Sequence, residues 1–308
     1  MNKTVLTIKN LTKLYKNNTK ANNNISLSFE SGEITALIGH NGAGKTTLLN
    51  QVIGLVKPTN GEILINGIDI VDKPSLARKL VSSMPQFQVP IKGVSVYQAV
   101  DSILRVKGFS KRISKEKAIN IIKELQIDDW KNVSGEKLSG GLQRLTSFAM
   151  TVTSETPVVL LDEPTNDVDP VRRIVMWKYL RKLADNGIIV IIVTHNLLEV
   201  EKYADRYILL DKGCVKKDTK TCGKSFKSGE HILNIIGIEK DSISVFRNVY
   251  NTKYYDEEKR LVAFIKECEV INVIDTTLKL LREEQIISYD LKIGSLNDLY
   301  GGMLDGNN

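Results

Sequence analysis

Ile34-Thr35-Ala36-Leu37-Ile38-Gly39-His40-Asn41-Gly42-Ala43-Gly44-Lys45-Thr46-Thr47 is the stretch that decides the fold. Ile34 to Ile38 reads as a mostly apolar strand, Gly39 onward as a loop, and Thr46 to Ile53 as a helix ending near Gly54. The loop fits the spacing G-x-x-x-x-G-K-[ST], and a strand before and a helix after it are the context this phosphate-binding loop requires. Its glycines let successive backbone N–H groups turn toward phosphate oxygens. The helix N-terminus adds positive potential. Lys45 is positioned by this spacing for β- and γ-phosphate charge, and the Thr46 hydroxyl for Mg²⁺.

Working outward, two further apolar strands carry polar residues at their C-terminal ends. Val158 to Leu161 runs into Asp162-Glu163, and Ile188 to Val193 runs into Thr194-His195. Parallel strands present their C-terminal ends on the ligand side of an α/β sheet. Asp162 is therefore expected in the Mg²⁺ shell, Glu163 near a water at the γ-phosphate, and His195 facing the same site. Before the loop, Thr4 to Lys9 and Ile25 to Phe29 read as strands, with Asn- and Lys-rich turn chemistry over Lys16 to Asn24. Gly61 to Gly67 is a strand closed by Asn66-Gly67, a hairpin signal. Val94 to Ser134 is largely helical, with Ala118, Ile121, Ile122 and Leu125 at helix spacing, and Val171 to Ala184 is a second helical region.

The chain has 308 residues, 42% hydrophobic and 26% charged, a globular composition long enough for one large domain and a smaller appendix. Its longest apolar run, Ile188 to Val193, has strand length, and the N-terminus lacks a secretory core. Cys214, Cys222 and Cys268 have no CxxC spacing and suggest neither a disulfide framework nor a zinc site. The net charge of +7 is uneven: the first 218 residues hold 31 basic and 22 acidic residues, the remaining 90 hold 12 and 14. A basic surface admits nucleic acid, anionic lipid or phosphorylated ligands, and also mere solvation. From about residue 219, Ile232 to Ile238, Ile243 to Val249, Arg260 to Ile265 and Ile286 to Leu291 read as strands. Val270, Ile274, Thr277, Leu278 and Leu281 share a helix face. Residues 219–308 thus read as an accessory α+β lobe behind a domain spanning 1–218.

In order, these motifs resemble those of the ATP-binding cassette (ABC) ATPase family. Leu138-Ser139-Gly140-Gly141 is similar to the family signature and precedes Asp162 at the family's spacing. Tyr15 resembles the adenine-stacking aromatic, Met84-Pro85-Gln86 the Q-loop, Pro164 to Asp169 the D-loop, and His195 the switch histidine. The resemblance covers roughly residues 4–217. It implies a P-loop α/β core with an antiparallel β subdomain and a helical subdomain at about 90–150. It also implies head-to-tail pairs with two ATP molecules between them. Gly39, His40, Asn41, Gly42, Ala43, Gly44, Lys45, Thr46 and Thr47 would hold one ATP, and Ser139, Gly140 and Gly141 would meet the other subunit's γ-phosphate. Glu163 would be general base or water orienter, His195 a γ-phosphate contact, and Gln86 a Mg²⁺ and water contact. Two departures stand out: Leu142-Gln143-Arg144-Leu145 where the signature usually continues with Gln, and Asn166-Asp167 where the D-loop favours small residues.

One cassette and no membrane span imply a separate transmembrane permease, a homodimer or second ATPase subunit, and a site on the inner face of the cell membrane. Asp169 to Arg173, Thr194 to Glu201 and Gly294 to Tyr300 resemble the bacterial drug and bacteriocin exporter subgroup. An importer subunit remains the alternative. A non-transport cassette acting on ribosome or DNA is the other class; nucleic acid is not expected, because neither a second cassette nor a coiled-coil insert is present. A P-loop kinase would leave Ser139-Gly140-Gly141 and His195 unexplained. Phe87, Val89, Ile91 and Val96 are open to two readings, a permease dock or the subdomain's own core.

Overall fold

Strand order follows from where the apolar runs can be buried. In the computed structural model, residues 3–16, 18–87, 92–221 and 230–293 are described. The chain begins with β1 (Val5–Leu14), β2 (Lys20–Glu30) and β3 (Ile34–Ile38), followed by helix α1 (Lys45–Val52). Next come β4 (Asn60–Ile65), β5 (Ile68–Asp69), α2 (Pro74–Leu80) and β6 (Val81–Met84). Helices α3 (Val96–Val106), α4 (Lys111–Glu124) and α5 (Gly140–Val152) precede β7 (Val158–Asp162). Then follow α6 (Pro170–Asp185), β8 (Ile189–Val193), α7 (Leu197–Tyr203), β9 (Arg206–Asp211) and β10 (Cys214–Lys220).

These elements form two sheets in a first compact unit, residues 1–221. The central sheet has the order β10-β9-β3-β8-β7-β6, parallel except for the β10–β9 edge pair. Every residue of β3, β7 and β8 is buried, as strands covered on both faces must be. A second, antiparallel sheet has the order β2-β1-β4-β5. It shares one hydrophobic core with the central sheet, Leu6, Phe29 and Ile63 joining Leu37, Leu160 and Ile191. The Asn66-Gly67 hairpin forms as read, with both residues at positive φ and Ile65 paired to Ile68. The Lys16 to Asn24 reading is corrected: β2 starts at Lys20, and the turn is closed by Tyr15 and Thr19, whose N–H and carbonyl bond at 2.9 Å. Asn22 is a strand residue because its buried amide has partners in the loop and in α1.

Helices α3 and α4 occupy the region Val94 to Ser134 read as helical, and α5 follows it. A capping box of Ser95 and Gln98 starts α3, and Ser139 caps α5. Ala118, Ile121, Ile122 and Leu125 are all buried. Val96 is 1% exposed and Phe87 84% exposed, so the first is core and the second is surface. Val89 and Ile91 lie outside the described residues. Among the described residues no helix is long and apolar enough to cross a membrane. Cys214 and Cys268 are free thiols, and Cys222 lies outside the described residues.

The second unit, 222–308, is an antiparallel sheet of order β12-β13-β11-β14 with α9 packed on one face. Its elements are β11 (Glu230–Ile236), α8 (Ser244–Arg247), β12 (Asn251–Tyr255), β13 (Arg260–Lys266), α9 (Val270–Arg282) and β14 (Ser288–Ile293). The strand expected over Ile243 to Val249 is instead a 3₁₀ turn leading into α8. Ile243 and Phe246 are both buried, and a spacing of three is a helical period; as a strand, Arg247 would share the face of Ile243. The face of α9 is rotated from the one expected: Val273, Thr277 and Leu280 are buried, with Val270 and Leu281 at its margins. Gly294 to Tyr300 lies outside the described residues.

Leu160→Ala should lower the stability of the first unit by about 2–5 kcal/mol, because β7 is covered on both faces and the cavity cannot collapse. Urea unfolding followed by tryptophan fluorescence reads this unit alone, since Trp130 and Trp177 both lie in it.

Candidate functional site

Three parallel strands bring the singled-out residues to one end of the central sheet. β3 delivers the loop Gly39 to Gly44, β7 delivers Asp162 and Glu163, and β8, between them, delivers Thr194 and His195. The loop is held by tight backbone approaches. Gly39 (φ +152) lies where a Cβ would come within 2.2 Å of the Leu210 carbonyl, and Gly44 (φ +98) where it would meet the Ala21 carbonyl at 2.1 Å. Only glycine fits either position. The Asn22 side chain donates to the Gly44 carbonyl at 3.1 Å, and Gln51 donates to Asn22 at 2.6 Å. His40 sits between the Asn41 carbonyl (2.6 Å) and the Asp211 carboxylate (2.8 Å). Ala43 is buried, Asn41 and Gly42 are exposed, and the Thr47 carbonyl accepts from Gln51.

Lys45 is 6% exposed and donates to the Gly39 carbonyl at 2.6 Å and the His40 carbonyl at 2.9 Å. Burial lowers its pKa, and Glu163 and Asp162 oppose the shift. Thr46 donates its hydroxyl to Asp162 at 2.8 Å. Burial raises the pKa of Asp162, opposed by the Thr46 bond and by Lys45 and Arg144. Glu163 is 2% exposed and takes a left-handed φ of 51°. A non-glycine residue held there stores local strain. Burial pushes its carboxyl up to about 7, against the nearby His195 backbone N–H. His195 Nε2 lies 3.1 Å from Glu163 Oε1, and among the described residues neither buried carboxylate oxygen has a hydrogen-bond partner. Burial and Lys45 lower the pKa of His195.

Gln86 follows β6, and its carbonyl accepts from Arg144, whose guanidinium also donates to the Glu163 carbonyl. Tyr15 is 40% exposed at the β1–β2 turn, with the Lys13 ammonium 5.2 Å from its ring centre. Ser139 and Gly140 are exposed at the start of α5, and the Ser139 hydroxyl accepts from the Leu142 N–H. No hydrogen bond joins Ser139 to the loop of the same chain among the described residues. Leu142, the departure in the signature, is 8% exposed and packs inward. Asp169 caps α6, accepting from the Arg172 N–H at 3.0 Å, and that bond lowers its pKa. The D-loop is tied to the helix after His195 through Glu199, whose carboxylate accepts from Thr165 and Trp177, each at 2.9 Å.

Sequence reasoning missed Arg144, Asn22, Gln51, Asp211 and Glu199. Arg144 stood in the quoted departure from the signature and Glu199 in the quoted stretch Thr194 to Glu201; Asn22, Gln51 and Asp211 carry no local motif and act only through the fold.

Chemically, the site offers a lysine ammonium, a glycine-rich loop, a hydroxyl beside a carboxylate, and a second carboxylate able to accept a proton near neutrality. The donor set of Thr46, Asp162 and the Gln86 amide is all oxygen, which suits Mg²⁺.

A family model described as ABC transporter matches residues 22–166. The lipopolysaccharide export system ATP-binding protein LptB of Escherichia coli (strain K12) is 33% identical over 211 residues, 68% of this chain and 87% of LptB. The retinal-specific phospholipid-transporting ATPase ABCA4 of Homo sapiens is 32% identical over 207 residues, 67% of this chain and 9% of ABCA4. The chain thus spans only a small part, 9% to 19%, of the length of the sub-family A relatives. Among solved structures, a dimeric ATP-binding cassette in a post-hydrolysis state bound to ADP and Pi superposes with a TM-score of 0.66. It is 28% identical and covers 71% of this chain and 99% of that one.

With a folded pKa near 7 and an unfolded value near 4.5, Glu163 weakens the fold as pH rises between those values, and the penalty is complete above 7. Glu163→Gln should therefore raise Tm by several degrees at pH 8 and by little at pH 4.5, read by calorimetry without nucleotide.

Proposed function

The chain belongs to the ABC transporter ATPase family, and from that premise we propose that it is the ATP-binding subunit of an exporter. It would bind and hydrolyse ATP between two head-to-tail copies, or beside a second ATPase subunit, and drive a separate membrane permease. The observation that carries this reading is the meeting of Thr46 with Asp162 at 2.8 Å, with Lys45 and the buried Glu163 beside it. Among the described residues no cluster of three or more His, Cys, Asp or Glu could hold a metal by itself. Phosphate oxygens would complete the shell around Mg²⁺ held by Thr46, Asp162 and Gln86, and the ion would supply charge neutralisation at the phosphates.

The residues divide the work as follows. Lys45 exchanges its two carbonyl partners for phosphate oxygens, while Tyr15 stacks on the adenine. Glu163, dry and titrating near 7, accepts the proton of an attacking water. His195, whose pKa burial and Lys45 lower, contacts the γ-phosphate. Ser139 with the Gly140 and Gly141 N–H groups meets the nucleotide of the facing copy. Asp169 caps α6 and so fixes the end of the D-loop.

An apolar groove of about 1200 Å³ supports a permease partner. It is lined by Phe87, Val94, Val96, Val106 and Met150 among others. Pro85 and Phe87 flank Gln86, so a helix seated there would bear on the site. Export rests on relatives named for lipopolysaccharide export and phospholipid transport, which favour a lipid-like cargo. The drug and bacteriocin subgroup rests on the sequence resemblance alone. A place on the inner face of the membrane follows from such a partner, and the basic first unit suits that anionic surface.

Lys45→Ala should weaken ATP affinity at least tenfold by fluorescent-nucleotide titration, and unchanged affinity would contradict the site. Glu163→Gln should keep ATP affinity, lose at least about 100-fold in turnover, and accumulate as an ATP-bound dimer on size exclusion.

A further inference from the structure

Helix α5 carries two differently engaged faces. Gln143, Thr146, Ser147 and Met150 line the apolar groove. Arg144 instead points into the reacting end of the sheet. Its guanidinium donates through one terminal nitrogen to the Gln86 carbonyl and through the other to the Glu163 carbonyl. It is half-buried, and its Nε is buried without a hydrogen-bond partner among the described residues. A cation placed so is held by those two carbonyls and by surrounding carboxylates. Burial lowers its pKa, while Asp167, Glu163 and Asp162 oppose the shift.

We infer that Arg144 is a positioning residue that locks the Gln86 loop and the strand end bearing Glu163 onto the helix beginning at Ser139. The geometry requires a planar fork. Two carbonyls from segments 77 positions apart are bridged by one side chain, which a single-point donor spans poorly. Glu163 sits at a left-handed φ that its side chain does not favour, so its carbonyl needs a fixed partner to hold that turn. Gln86 lies between Pro85 and Phe87, both on the groove. A shift of the groove's occupant would therefore reach the Glu163 turn through one guanidinium.

This inference rests on the reading of Glu163 and Gln86 as the water- and Mg²⁺-facing residues. It is tested on the full chain by steady-state ATPase, fluorescent ATP binding and thermal melting of Arg144→Met, Arg144→Lys and Gln86→Ala. Arg144→Met should lower kcat by about 10- to 100-fold with KM and ATP affinity within about threefold of the parent, the signature of lost alignment rather than lost binding. Arg144→Lys should recover part of that loss, and adding Arg144→Met to Gln86→Ala should cost less than it does alone. Parental kcat in Arg144→Met, or full additivity with Gln86→Ala, overturns the inference. A fall of kcat and ATP affinity together with Tm would mark a merely structural arginine, and Arg144→Lys then decides, since a folded variant with parental kcat also overturns it. If Glu163→Gln retains parental turnover, the reading of the site fails first, independently of Arg144.

Discussion

Two carboxylates at the end of an apolar strand are the constraint around which the first unit is organised. Asp162 and Glu163 follow four fully buried aliphatic residues and are themselves 4% and 2% exposed. Adjacent anions removed from water are unfavourable unless cations and donors surround them. The structure answers with an ammonium and a hydroxyl from the start of α1, a guanidinium from α5 and an imidazole from the neighbouring strand end. These partners arrive on three elements, α1, α5 and the end of β8, so the parallel sheet, the loop that leads into α1 and the helical region are all needed to assemble the site. Compensation is incomplete at Glu163, whose oxygens have no hydrogen-bond partner among the described residues and whose carboxyl is pushed up to about 7. That residual mismatch makes Glu163 more readily protonated than an exposed glutamate, the kind of perturbation that clusters at functional sites.

The loop obeys a second constraint, close backbone contact. Gly39 is pressed against β9 and Gly44 against β2, so the loop is braced by both sheets of the unit. Asn22, Gln51 and Gly213 complete that brace: the Gly213 N–H donates to the Ala43 carbonyl, and its carbonyl accepts from Asn23. The antiparallel sheet is thus a wall of the Gly39–Gly44 loop as well as a support for Tyr15.

Much of this was legible in the sequence because the decisive signals are local. An apolar run, glycines at fixed offsets and a carboxylate pair at a strand end need no knowledge of the fold to be read. The long-range partners were not legible: Arg144 reaches carbonyls at 86 and 163, and a main-chain acceptor leaves no trace in side-chain identity. Asn22 read as turn chemistry because asparagine usually serves turns, whereas here its amide is buried between two elements. In the second unit, β12 was missed because Asn251-Thr252-Lys253 carries no apolar alternation at the sheet edge, and Ile243 to Val249 was misread because strand and single-turn helix periods differ little over so short a segment.

The two signature glycines show how local geometry separates internal from external demands. A Cβ on Gly141 would meet the Asp167 carbonyl at 2.7 Å, so this glycine is required by the chain's own D-loop. A Cβ on Gly140 would meet nothing within 4 Å, and its φ is not in the left-handed region. Neither backbone conformation nor internal packing therefore asks for glycine at 140. What a bare backbone provides there is unhindered approach from outside to an exposed N–H at the first turn of α5, where the helix dipole favours an anion. Because Gly141 packs on the D-loop and Arg144 grips the Glu163 turn, the exposed start of α5 is joined to the reacting end through one helical turn. An anion arriving at Gly140 from a second copy would act on a rigid lever rather than on a free loop.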